Sequence, residues 1–197
     1  MAGNAFTRVW GMCFAPTHEW DLIDGERAST QGLLLGYAGV LAALPILADV
    51  AGRRLFSFGV YEHGHPPLAP ALIIAAITWI ITLLSVLALA KMIEAMAGDF
   101  GGEANWIPAL KVAVYTSTIG WVTGLVGLFP PLAIVGGLCA ILEGYPLYVG
   151  LPKLMKASHE RAMAYTLPVF VVAMLMLFVV RFASGWAADL VMIAYRR

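Results

Sequence analysis

Five long apolar runs, each about as long as a bilayer is thick, constrain this chain more than any other feature. They occupy residues 32–48, 70–90, 107–126, 131–151 and 164–180, and about 20 helical residues cross a hydrocarbon core of ~30 Å. The run at 70–90, PALIIAAITWIITLLSVLALA, is the cleanest and carries no charge. Lipid offers backbone groups no hydrogen bonds, so a spanning segment must be a helix or belong to a closed barrel. Barrel strands alternate over about ten residues, whereas these runs are longer and continuously apolar. The sequence therefore predicts an all-α membrane protein with five transmembrane helices.

Composition narrows the class. Of 197 residues, 61% are apolar and 12% charged, and the mean hydropathy of +0.84 lies outside the range of soluble domains. Lys plus Arg equals Asp plus Glu, so no global basic field draws in nucleic acid. One membrane domain at 31–181 fits this length, and the connections at 51–69 and 91–106 are too short to fold alone. Glu19, Asp21, Asp24 and Glu26 interrupt the first 30 residues, so no cleavable signal peptide is expected. Cys13 and Cys139 read as small apolar residues, with no disulfide or metal spacing.

Residues 1–30 have an amphipathic pattern. Phe6, Val9, Trp10, Cys13 and Phe14 share one face at helical spacing. Pro16 breaks that helix, and Thr17 is placed to cap a second one with Trp20 and Ile23 on its apolar side. This predicts an interfacial segment anchored in the headgroup layer by Phe6, Val9, Trp10 and Phe14. The alternative is a helix packed on the ends of the other helices. Residues 182–197 either form another amphipathic segment or extend the fifth helix. Gly98, Gly101 and Gly102 mark a turn after the second span, and GLFPP forces the third and fourth spans into an antiparallel hairpin.

Recognisable reaction chemistry is missing. His18, His63, His65 and His159 all lie outside the spans, which disfavours haem or chlorophyll ligation. Glu62, His63 and His65 share one loop, but three candidate ligands without a second cluster read as a solvated loop, not a metal site. There is no Walker loop, HExxH or serine elbow. The expectation is a protein without catalytic residues, cofactor or metal. Two charges do enter the spans, Lys111 and Glu143, and intramembrane charges are functional candidates by default. Antiparallel third and fourth helices would let them form an ion pair. Gly32 with Gly36, and Gly120 with Gly124, allow close helix contact, by default within one chain.

The fourth span and its continuation, ILEGYPLYVGLPKLMKASHERAMAYTL, resemble the signature region of the Yip domain family of Ypt-interacting-protein-like membrane proteins. The resemblance rests on Tyr145, Tyr148, Gly150, Leu151, Pro152, Leu154, Met155, Lys156, Tyr165 and Thr166. Upstream, Pro16, Trp20, Ile23 and Glu26 are similar to the family's N-terminal entry. Phe100-Gly101-Gly102, Lys111 and Tyr115 match its middle section. One departure is Ile119, where a proline is common, which implies a less kinked third span. The resemblance implies five membrane helices, a cytosolic N-terminus and no catalytic residues. Eukaryotic relatives associate with Rab-type GTPases, a role that does not transfer to a chain whose Ala- and Gly-rich composition reads as bacterial.

The functional expectation is a non-enzymatic scaffold or accessory subunit of a bacterial inner membrane, with lipid and other integral membrane proteins as its partners. The rival is a small transporter or channel that uses Glu143 and Lys111 as a polar path. Arg8, Arg27, Lys91, Lys111, Lys153, Lys156 and Arg161 fall on the N-terminal side, against Arg53, Arg54, Arg181, Arg196 and Arg197 on the other. That bias favours a cytoplasmic N-terminus.

Overall fold

The computed structural model describes residues 5–56 and 67–195. Two short helices open the chain, α1 (Ala5–Phe14) and α2 (Pro16–Gly25). Five long apolar helices follow: α3 (Gly32–Leu55), α4 (Leu68–Phe100), α5 (Trp106–Leu128), α6 (Ile134–Leu154) and α7 (Ala162–Tyr195). Four of the apolar runs lie within α3, α4, α5 and α7, and the run at 131–151 overlaps α6 from Ile134 onward. The class and the number of spans follow directly from the sequence pattern.

Rank by hydropathy runs opposite to rank by burial. The most apolar helix, α4, has only 17% of its most apolar stretch buried, whereas the least apolar, α5, has 61%. Lipid tolerates only apolar surface, so an outer helix must be apolar all round, while a central one can carry Lys, Thr and Tyr against its neighbours. α5 is the central helix, packed on α3, α4 and α6. α4 runs antiparallel to α7 along an extensive contact.

Both ends of the bundle are fastened by specific contacts. At the end holding α1 and α2, the Trp106 indole N–H donates to Thr30 Oγ1 (3.0 Å). There the Tyr165 hydroxyl donates to the Ile93 carbonyl, and its ring stacks on Phe100 at 4.9 Å. At the other end, Gly52 of α3 lies against the carbonyls of Gly127 and Leu128, where any Cβ would collide. Gly124 likewise makes room for Pro45, since a Cβ there would come within 2.7 Å of the ring. The Gly120 and Gly124 pair thus serves packing inside the monomer.

Local expectations are refined in several places. Pro16 occupies the first turn of α2 with Ala15 at its N-cap, so Thr17 lies inside the helix and does not cap it. Gly101 takes the left-handed conformation (φ 74°) that ends α4. The ladder of α5 is interrupted at Ser117, whose hydroxyl bonds the Ala113 carbonyl, so Ile119 does not leave a regular helix there. α7 is continuous to Tyr195, which makes the C-terminal segment an extension of the fifth helix. At ~1.5 Å per residue it is about 51 Å long, well beyond one hydrocarbon thickness.

Candidate functional site

Several buried polar residues converge where α1 and α2 seat on α5 and α6, among them Arg8, Glu19 and Lys111. α2 buries one face, at i, i+4 and i+7 spacing. Pro16, Trp20 and Ile23 are buried, and so is Glu19 on the adjoining stripe. Trp20 is fully enclosed, and its indole N–H donates to the Pro146 carbonyl of α6 at 2.9 Å. The indole lies so close to Gly150 that a Cβ there would overlap the ring. Glycine is required at 150 because an aromatic ring, not another helix, fills the space. Tyr115 of α5 meets Trp20 edge-on at 6.3 Å and Tyr37 of α3 edge-on at 4.9 Å. The Tyr37 hydroxyl is shared with Thr118 Oγ1 (3.1 Å).

Arg8 completes this socket. It is 4% exposed and reaches from α1 to Glu19 Oε1 (2.7 Å) and to both oxygens of Glu26 (2.6 Å each). Its guanidinium lies 5.4 Å from the centroid of the Tyr115 ring. Nη1 serves Glu19 and Nη2 serves both oxygens of Glu26, so one planar group joins two carboxylates while its face lies toward an aromatic ring, which a compact ammonium does less well. Burial works against the charge, but the Glu26 hydrogen bond and the attraction of Tyr115, Glu26 and Glu19 outweigh it. The Arg8 guanidinium is held above its ordinary pKa. Around it, Thr7, Arg8, Glu19, Asp21, Gly25 and Glu26 line a cleft of about 450 Å³.

Lys111 and Glu143 do not form the expected ion pair. The Lys111 ammonium donates to the carbonyls of Ile23 (2.7 Å) and Glu26 (2.6 Å), so it caps the C-terminal end of α2. Unpaired carbonyls and the negative pole of the helix favour a cation there. Glu143 lies against Gly120, where a Cβ would overlap its carboxyl. Lys111 and Gly120 are roughly 13 Å apart along α5. The antiparallel hairpin is as expected, but the two side chains leave α5 and α6 at different levels. Lys111 is satisfied by an element that hairpin reasoning ignored.

The remaining sequence candidates divide clearly. Pro16, Trp20, Ile23, Glu26, Tyr115, Gly150 and Leu151 belong to the socket or its walls. Tyr145 is 59% exposed, and Tyr148 and Pro152 are half-buried. On α1, Phe6, Trp10 and Phe14 are 60–73% exposed, with Trp10 and Phe14 in ring contact at 4.4 Å, while Val9 packs on the core. α1 therefore has two faces, one against the bundle through Arg8, Gly11 and Met12 and one bare and aromatic. Beside these contacts, Lys153 pairs with Asp21 of the cleft wall, and Lys156 with Asp24 at 2.6 Å. No group of three metal-type ligands occurs among the described residues, and Glu62, His63 and His65 lie outside them.

Sequence reasoning missed Arg8 as a site residue and counted it only as an interfacial charge. A signal was present. Arg8, Gly11 and Met12 form a second face of α1, while Glu19 lies on the next helix and Glu26 immediately past its end.

A five-helix membrane bundle whose N-terminal helix pair is locked into a socket of Trp, Tyr, Arg and Gly defines the class. Residues 10–180 match the family model described as the Yip1 domain, and the chain belongs to that family. It is similar to inner membrane protein YohC of Escherichia coli strain K12, with 22% identity over 176 residues, covering 87% of this chain and 90% of that protein. The YohC protein of Escherichia coli O6:H1 matches to the same extent. No solved structure matches.

Proposed function

We propose that this protein is a non-enzymatic scaffold or accessory subunit of a bacterial inner membrane, acting through contacts with lipid and other membrane proteins. The observation that carries this reading is the use to which its polar residues are put. Arg8, Glu19, Glu26, Lys111 and Trp20 spend their charges and hydrogen bonds on one another and on backbone carbonyls, holding an N-terminal platform in place. What that platform presents outward is apolar: Phe6, Trp10 and Phe14, a surface suited to lipid or a membrane partner. The inner-membrane placement is carried over from the name of the YohC relatives. A cytoplasmic N-terminus agrees with the basic bias of Lys91, Lys153, Lys156 and Arg161 at that end.

The test is purification at native expression, followed by identification of co-purifying membrane proteins. The reading expects a defined partner whose recovery falls when Trp10 and Phe14 are replaced by Ser. A transporter would instead need water at Glu143, which is 5% exposed and does not line the Arg8 cleft. Glu143→Cys should therefore resist a charged thiol reagent in intact membranes. Rapid labelling there would move the assignment to transport.

A further inference from the structure

In the half of the bundle away from the N-terminal helices, a groove of about 290 Å³ lies between α3 and α4. Ala43, Ile46 and Leu47 of α3 and Ala75, Ala76 and Trp79 of α4 line it. Its origin is local: three alanines leave space that longer side chains would fill. The deep end is closed where the Trp79 indole N–H donates to the Gly39 carbonyl (2.8 Å). Along α4 the lined stretch from Leu72 to Trp79 rises about 10 Å, most of a ~15 Å leaflet half-thickness. A groove of this shape in contact with hydrocarbon loses dispersion contacts unless a chain fills it.

The charges above the groove point to what that chain belongs to. Ile46 and Arg53 are two helical turns apart, as are Leu47 and Arg54, so both arginines continue the groove-lining face of α3. They stand roughly 10 Å nearer the interface than Leu47, where headgroups begin. Arg53 also pairs with Asp49 at 2.8 Å and is half exposed, and a guanidinium has five donors, enough to hold a carboxylate and a phosphate together. Arg54 likewise has interactions within the protein, and its guanidinium brings the same five donors to a phosphate.

We propose that α3 and α4 form a binding site for one anionic phospholipid of the leaflet opposite the N-terminal helices, with an acyl chain in the groove and its phosphate on Arg53 and Arg54. This site stands apart from the scaffold reading and holds for a transporter equally well. It is tested on the full-length protein in nanodiscs and then by native mass spectrometry, with phosphatidylglycerol and phosphatidylcholine as the two probes. The wild type should retain one phosphatidylglycerol, with about tenfold preference over phosphatidylcholine. Ala76→Leu, at an exposed position, should abolish retention of both lipids without lowering thermal stability. Arg53→Gln with Arg54→Gln should erase the preference and leave chain binding intact, and it decides the matter if Ala76→Leu fails to fold. Equal retention of both lipids by the wild type would overturn the proposal. So would unchanged retention in Ala76→Leu, or loss of a dimer in that variant with lipid retention unaltered, which would give the groove to a second copy.

Discussion

Replacing Arg8 with Met should release the N-terminal helices from the bundle. The side chains of Arg8 and Glu19 are 4% and 11% exposed, and that of Glu26 is 27%. Removing one member of a buried ion pair typically costs about 3–5 kcal/mol, because the other charge stays buried without a partner. Here two carboxylates lose their counterion, but Glu26 is exposed enough for water to recover part of its solvation. The lower end, about 3 kcal/mol, is the expected loss. If docking of α1 and α2 is a local equilibrium, that is about a hundredfold change in the open population. Amide hydrogen exchange across Ala5–Gly25 reads it directly, since local opening sets exchange there. Arg8→Lys should fall between, keeping the charge but not the two separated nitrogens that reach Glu19 and Glu26. Arg8→Met combined with Glu19→Gln and Glu26→Gln should regain much of the protection, because no buried charge is then left alone. Exchange in Arg8→Met within about threefold of wild type, or a triple variant no better than the single one, would refute the socket as the fastening element.

Four further outcomes concern neighbouring residues. Gly150→Ala should destabilise the docked state by about 2 kcal/mol by displacing the Trp20 indole, while Trp20→Phe should lose about 1 kcal/mol for the bond to Pro146; exchange in Pro16–Gly25 but not in α7 distinguishes both from global unfolding. Lys111→Met should cost about 1.5–3 kcal/mol by taking the ammonium donor from the Glu26 carbonyl and leaving the Ile23 carbonyl only the Glu26 N–H at 3.3 Å, and its effect should add to that of Glu143→Gln within about 0.5 kcal/mol. Recovery in that double variant, measured by thermal denaturation in detergent, would restore the direct pairing that the structure replaces. Burial pushes the Cys13 thiol up from its ordinary range, so in a Cys139→Ser background iodoacetamide should alkylate Cys13 more slowly than a free thiol at mildly alkaline pH. The sign follows from the neutral thiol being favoured in the fold: the folded state is unpenalised at low pH and loses stability as pH rises past the unfolded thiol's range. Alkylation as fast as a free thiol would contradict it.

Much of the fold can be read from the sequence because a bilayer is a stringent solvent. Every spanning backbone group must be satisfied within its own segment, so the five apolar runs had to be helices, and their lengths had to match the membrane. Pro16 as a break, Gly101 as a turn and GLFPP as a hairpin are equally local, since each depends on the chain's own dihedral preferences. Side-chain partners are not local. Trp20 bonds a carbonyl 126 positions away, and Lys111 is satisfied by a helix 85 to 88 positions before it. No periodicity in either segment encodes such a meeting. The sequence alone could identify Lys111 and Glu143 as charges needing partners, but it supplied the nearest plausible pair instead of the true ones. Only the seating of α1 and α2 on α5 and α6 decided that Lys111 caps a helix and that Arg8 is a buried anchor. It also decided that Gly150 exists to admit an indole, because each outcome depends on which surfaces touch.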